Sequence, residues 1–317
     1  MKMTGIQEIY YPCKFDRTMQ PAKFFRAAGS DPRPLVVCLH TWSADCNQKS
    51  YEKYASLAEA GNWHMIFPHF RGPNWHADAC GSDLVVSDLE DAVIYAKKTV
   101  AVDPARIYLT GGSGGGHCSL LMAGRRPDLW TAVSAWCPIS DISRWYRESR
   151  ERKRVYADHI ESACGGDPET SESAMEEARK RSPVTWLPNA ADVLPVDINT
   201  GIHDGHTGSV PVGQSIRAYN LLAAPEDRIT EADISFIEAN EKIPSHLAAE
   251  EGDPAYGTHA ILLRKQSRKV RLTIFEGRHD MFPETAFDWL GRQVSGQPAD
   301  FSAGQSAIRF DNVALGK

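Results

Sequence analysis

From residue 34 onward, short apolar runs alternate with longer stretches in which apolar positions recur every three or four residues. "PLVVCLH" (34–40), "HMIFPHF" (64–70), "ARIYLTGG" (105–112) and "AVSAWCPI" (132–139) have strand length and the continuous apolar character of strands buried on both faces. "SYEKYASLAEAGN" (50–62), "DLVVSDLEDAVIYAKKTV" (83–100) and "GHCSLLMAGRRPDLW" (116–130) have helical spacing. The alternation resumes with "VLPVDINTGI", "VPVGQSIRAYNLLA", "KVRLTIFEG" and "ETAFDWLGRQ". It predicts an α/β fold, a mainly parallel sheet with helices on both faces, formed by the chain as a single domain. Two segments break the rhythm: residues 142–182 are charged and helix-prone, read as a helical lid, and residues 225–262 form a second, mostly polar insertion. The first 33 residues read as a β-hairpin leading into the sheet.

Composition narrows the function classes. A net charge of −6 and a pI near 6.0 argue against nucleic acid as a main partner, because phosphate binding needs a basic surface. No apolar run reaches the roughly 18 residues of a membrane helix, and the N-terminus "MKMTGIQEIYYPCKFD" has no apolar core of a signal peptide. A cytoplasmic protein, or a secreted one whose leader has been removed, is the expectation. Of the seven cysteines, Cys38, Cys118 and Cys137 fall in apolar runs, where thiols act as small core groups. Cys13, Cys46, Cys80 and Cys164 fall in loops and could pair, but reduced thiols are the favoured reading.

The candidate chemistry sits in "LTGGSGGGHCSLLMAG" (109–124), where Gly111, Gly112, Gly114, Gly115 and Gly116 surround Ser113. A phosphate-binding P-loop needs Lys after the last glycine and the dinucleotide motif needs a further glycine three residues after Gly114; His117 occupies both positions. What fits is G-x-S-x-G, Gly111 to Gly115, between a strand and a helix, the arrangement that exposes a nucleophilic serine on a sharp turn. A serine needs a base, and the base an orienting acid. His279 follows the late run "KVRLTIF" and Asp204 follows "VDINTG", in the Ser, acid, His order of this elbow.

These motifs resemble the catalytic domain of the prolyl oligopeptidase family of α/β-hydrolases. The resemblance rests on Asp103-Pro-Ala-Arg106 running into Gly111-Gly-Ser113-Gly-Gly-Gly116, on Phe70-Arg71-Gly72, on Gly201-Ile-His-Asp204 with Val210-Pro211, and on Gly277-Arg278-His279, in that order. It implies the α/β-hydrolase fold, a Ser113, Asp204, His279 triad, and no metal or organic cofactor. The loop between Asp204 and Val210 is longer than the family's, which leaves Asp141 in "CPISDIS" as an alternative acid. Where many relatives carry His-Gly-Gly, this chain reads His40-Thr41-Trp42. The oxyanion donors are therefore expected to be the N–H groups of Gly114 and Trp42, with Thr41 as the fallback. His203 and His206 flank the acid, and a metal bound by that pair is disfavoured for want of a third ligand nearby.

Only some 33 residues precede the first core strand, so the β-propeller that filters substrates in the family's peptidases is not expected. That favours a serine carboxylic-ester hydrolase acting on a small-molecule or saccharide ester. Trp42, Trp75, Trp136 and Trp145 could stack on sugar or aryl groups, pointing to an acetyl or feruloyl carbohydrate esterase with His40, Trp42, Trp75 and Trp145 at the substrate. A small serine peptidase of the family is the alternative, and a non-catalytic binding protein on this fold a third reading.

Overall fold

The computed structural model describes residues 5–248 and 252–302. An antiparallel hairpin, β1 (Ile6–Pro12) and β2 (Met19–Phe25), opens the chain, followed by β3 (Arg33–Leu39), α1 (Ser50–Gly61) and β4 (His64–Pro68). Then come α2 (Asp83–Thr99), β5 (Val102–Gly112), α3 (Gly114–Arg125) and β6 (Ala132–Trp136). Between β6 and β7 (Val196–Gly201) lie α4 (Ile142–Glu151), α5 (Tyr156–Cys164), α6 (Glu172–Arg181) and the single turn α7 (Pro183–Trp186). The chain continues through α8 (Val212–Leu222), α9 (Glu231–Asn240), β8 (Ile261–Ser267), β9 (Val270–Phe275) and α10 (Pro283–Leu290).

The nine strands among the described residues join one sheet in the order β1-β2-β4-β3-β5-β6-β7-β9-β8. The pairings from β4 across to β9 are parallel, and the hairpin at one edge and β8 at the other are antiparallel. Period-two alternation sorts each central strand between two cores. Leu35, Val37 and Leu39 of β3 pack with Leu89 of α2, Leu121 of α3 and Ile216 of α8, whereas Val36 and Cys38 face Tyr54 of α1 and Phe287 of α10. The expected strands and helices are present within a few residues of their predicted ends.

Two elements differ from expectation. β8 lies within and beyond the polar insertion because "ILLRKQS" is an edge strand whose burial pattern comes from pairing with β9; residues 249–251 of that insertion lie outside the described residues. α3 starts at Gly114, two residues before the expected helix, because tight packing overrides the low helical propensity of glycine. All seven cysteines are buried free thiols, including the four read as loop residues. No helix among the described residues is long and apolar enough to cross a membrane.

A buried polar row crosses the sheet beneath the site. Asp197 of β7 accepts from Arg271 Nε of β9 at 2.7 Å and from Asn199 Nδ2 at 2.7 Å, and Trp136 Nε1 donates to Ser134 Oγ at 3.0 Å. Asp197 stands directly between Ser134 and Arg271 in register. Both members of the ion pair are almost fully buried. Asp197→Ala would strand the Arg271 guanidinium in the sheet, so it should lower unfolding free energy by about 3–5 kcal/mol in urea denaturation; a loss under about 1 kcal/mol would place the charge in contact with water.

Candidate active site

The site is built at the carboxyl ends of the parallel strands, where α/β sheets place their ligands. β5 runs straight into Ser113, whose backbone sits at φ 58°, ψ −120°. A positive φ is strained for a residue with a side chain, and two hydrogen bonds hold it: Ser113 N–H donates to Trp136 O at 2.8 Å and Ser113 O accepts from His117 N–H at 2.8 Å. The glycines beside it permit contact that no larger residue would. A Cβ on Gly114 would lie 2.5 Å from Trp42 N, and one on Gly115 would lie 2.7 Å from Leu39 O. The elbow is thus pressed directly onto the end of β3.

That contact brings the two expected oxyanion donors to one place. Thr41, the fallback, is already engaged: its N–H donates to Gln48 Oε1 at 2.9 Å, and Gln48 Nε2 donates back to Thr41 Oγ1 at 3.1 Å. Neither the Gly114 nor the Trp42 N–H has a hydrogen-bond partner among the described residues. Asn74, fully buried, fixes the Trp42 peptide by donating from its backbone N–H and its Nδ2 to Trp42 O at 2.9 and 3.3 Å. Gln48 and Asn74 carry no motif signal, and sequence reasoning missed both.

Asp204 and His279 meet as a pair. His279 Nδ1 lies 2.6 Å from Asp204 Oδ2, and Asp204 Oδ1 accepts from the N–H groups of Gly205 at 2.9 Å and Val210 at 3.1 Å. The long loop after Asp204 therefore closes around the carboxylate, and Gly208 presses so tightly on Asp204 and His279 that a Cβ there would collide with the acid. Asp141 is elsewhere, capping α4 by accepting from Arg144 N–H at 2.9 Å. Ser113 and His279 line one cavity of about 200 Å³, with Leu39, Tyr54, Trp136 and Met281 among its apolar walls and Cys137 and Asp280 beside the histidine.

The charge state of His279 follows from its neighbours. Burial opposes its imidazolium, a negative charge on the Cys137 sulfur or on the Asp204 carboxylate favours it, and the net direction of its pKa is upward. The Cys137 thiol is itself pushed up by burial and by the Asp204 charge, so at neutral pH it is uncharged. The carboxylate is then the group that supports a proton on the ring.

Trp42, Trp75 and Trp145, expected at the substrate, do not line the cavity. Trp42 and Trp145 are buried edge to face at 4.7 Å in a core cluster with residues of α4, α5 and α6, and Trp42 Nε1 donates to His159 Nδ1 at 3.2 Å. Trp145 Nε1 instead donates to Ser209 O at 2.9 Å, and Arg152 Nη1 to Gly205 O at 2.5 Å, so α4 and the residue after it brace the acid loop. His40 is fully buried, stacked 3.9 Å from Phe70, with its ring nitrogens 2.9 Å from Thr41 O and His69 O. Burial lowers its pKa to about 4, leaving a neutral ring that anchors the loop rather than touching the cavity. Trp75 is partly exposed against His159, 4.9 Å between rings. Trp136 alone of these tryptophans lines the cavity.

His203, adjacent to the acid, bridges two glutamates: Nδ1 meets Glu241 Oε2 and Nε2 meets Glu276 Oε1, both at 2.6 Å. Neither bond closes a three-ligand metal cluster, and the cluster among the described residues is Cys137, Asp204 and His279.

Residues 65–236, more than half of the chain, match the prolyl oligopeptidase family. The chain belongs to that family. It is 23% identical over 121 residues to acylamino-acid-releasing enzyme 1 of Oryza sativa subsp. japonica, covering 36% of this chain and 16% of that protein. Its fold is shared with the acylaminoacyl peptidase of Pyrococcus horikoshii, at TM-score 0.62 and 15% identity over 95% of this chain and 44% of that one. Oligopeptidase B of Leishmania major is similar at TM-score 0.58 and 13% identity, over 90% of this chain and 36% of that one. The chain thus spans less than half the length of each of these relatives.

The two hydrogen bonds of His203 to Glu241 and Glu276 require both ring protons, and hydrogen bonding to Glu241, against a smaller desolvation penalty, raises its pKa. A group whose folded pKa is raised stabilises fully below its unfolded value, about 6.5, and loses that contribution as pH climbs through the folded value. Thermal melting across this range should show a midpoint that falls with rising pH more steeply in the wild type than in His203→Gln. Parallel pH curves for the two proteins would rule out the clamp.

Proposed function

We propose that this protein is a serine hydrolase that splits an acyl bond through an acyl-Ser113 intermediate. The observation that carries this reading is the Asp204–His279 hydrogen bond facing the cavity that Ser113 also lines. In its neutral form His279 takes the Ser113 proton as Oγ attacks the carbonyl, and Asp204 holds that ring in the tautomer whose free nitrogen faces the serine. Charge then develops on the carbonyl oxygen, where the N–H groups of Gly114 and Trp42 receive it. His279 returns the proton to the leaving group, and water repeats the sequence on the acyl-enzyme.

An amide substrate is the preferred reading, because the relatives named above are peptidases and an acylamino-acid-releasing enzyme. The cavity supports a small apolar group on the acyl side: about 200 Å³ is below the roughly 300–1,000 Å³ of drug-sized sites. The saccharide-ester reading loses its structural support with Trp42 and Trp145, whose rings are committed to each other. A small-residue N-acyl-aminoacyl p-nitroanilide should therefore be turned over, alongside short p-nitrophenyl esters that the same chemistry accepts. Acetylated or feruloylated sugars turned over faster than both would reinstate the carbohydrate esterase.

Ser113→Ala should lower kcat by about 10⁴ to 10⁶ with an unchanged melting profile, and retained turnover by the purified variant would sink the mechanism. Asp204→Asn should cost up to about 10⁴ in rate by favouring the wrong histidine tautomer. Asp141→Asn, confined to a helix cap, should keep kcat within a few-fold, and the reverse ranking would reassign the acid.

A further inference from the structure

One nucleophilic side chain in the cavity has no part in this mechanism. Cys137 follows β6 at φ 44°, a backbone region in which glycine and asparagine are favoured over other residues. Its backbone N–H donates to Asn199 O at 2.7 Å, which holds the turn without help from the side chain. The thiol is turned toward the His279 loop, donating to Asp280 O at 3.3 Å. Cys137 thus holds a strained backbone position with its sulfur beside two other ligating groups.

We infer that Cys137, Asp204 and His279 form a binding site for a thiophilic divalent cation such as Zn²⁺, and that its occupation shuts off the hydrolase. The ligating atoms of the three side chains all lie within 4.8 Å of one another. Zinc holds sulfur at about 2.3 Å and nitrogen or oxygen at about 2.0–2.2 Å, so closure on one ion takes side-chain shifts of about 1 Å. A thiolate and a carboxylate supply two negative charges, which match a dication inside a wall where Cys137 and Asp204 are almost wholly buried. The donor set of one sulfur, one imidazole and one carboxylate selects zinc-like ions over Mg²⁺ or Ca²⁺, which prefer oxygen alone. The cavity gives the ion its entry and leaves a fourth position for water.

The proton and electron balance is simple. The cation forms a bond to sulfur and the Cys137 thiol proton leaves to solvent, with a second proton released where His279 begins as imidazolium; nothing is oxidised or reduced. Binding at either ring nitrogen disables the base. A cation on the nitrogen facing Ser113 takes the lone pair that would accept the serine proton. A cation on the nitrogen facing Asp204 forces the remaining proton onto the other nitrogen, which then cannot accept one. The inhibitory consequence rests on the serine hydrolase reading above, whereas the binding itself does not.

Co²⁺ reports both parts of the ligand set, because thiolate ligation gives a charge-transfer absorption and a tetrahedral site gives intense d–d bands. Titration of the full-length protein with Co²⁺ should produce both at one equivalent, with Zn²⁺ displacing the signal and Mg²⁺ leaving it in place. Cys137→Ser should abolish the charge-transfer band, and His279→Ala should weaken cobalt affinity about tenfold or more. A wild-type protein without the band, or a Cys137→Ser protein that keeps it, overturns the site. Should Cys137→Ser fail to accumulate as folded protein, undiminished cobalt affinity in His279→Ala overturns it equally. With an active preparation, Zn²⁺ should stop turnover and a chelator restore it, while absence of all hydrolytic activity would refute the function and leave the cobalt result readable.

Discussion

Everything in the site depends on how closely the backbone of the elbow can approach its neighbours. β5 delivers Ser113 into a strained conformation, and that strain persists because Trp136 O and His117 N–H hold both ends of the serine peptide. Gly114 and Gly115 let the first turn of α3 sit against Trp42 and Leu39 at distances that a single methyl group would forbid. The same contact that packs helix onto strand brings together the Gly114 and Trp42 N–H groups, neither of which has a hydrogen-bond partner among the described residues.

The acid side is organised from outside the sheet. The carboxylate of Asp204 has three donors, one from His279 and two from its own loop. That loop is in turn held by Trp145 and Arg152. The helical segment between β6 and β7 therefore braces the path of the loop that carries the Asp204–His279 bond, and none of its residues lines the cavity. On the opposite side of the elbow, Arg181 at the end of α6 donates to Ala79 O and Ala77 O while its own carbonyl meets His117 Nε2. The segment between β6 and β7 is thus tied both to the turn at Ser113 and to the loop after Asp204.

Local pattern carried much of this architecture. The run 34–40 reads as a strand because both its faces are buried, and 83–100 reads as a helix because its apolar stripe packs on one face of the sheet. The positions of Ser113, Asp204 and His279 after their strands were legible because each follows an apolar run in a fixed order with a recognisable neighbour. The elements that were not legible depend on distant partners. β8 is half polar and becomes a strand through pairing with β9. Gln48 and Asn74 decide which peptide near Trp42 stays free, yet each works through a bond to a residue whose proximity only the fold creates. The tryptophans illustrate the same limit: an indole has the same composition whether it faces a ligand or another indole, and Trp42 and Trp145 chose each other.

In the mechanism proposed above, His279, held by Asp204, makes Ser113 the activated nucleophile. Reaction with a fluorophosphonate followed by peptide mass mapping tests it most directly. A single phosphonyl adduct is expected, on the peptide containing Ser113, with its disappearance in His279→Ala. An adduct at Cys137 or any other residue, or equal labelling of Ser113 without the histidine, would contradict it.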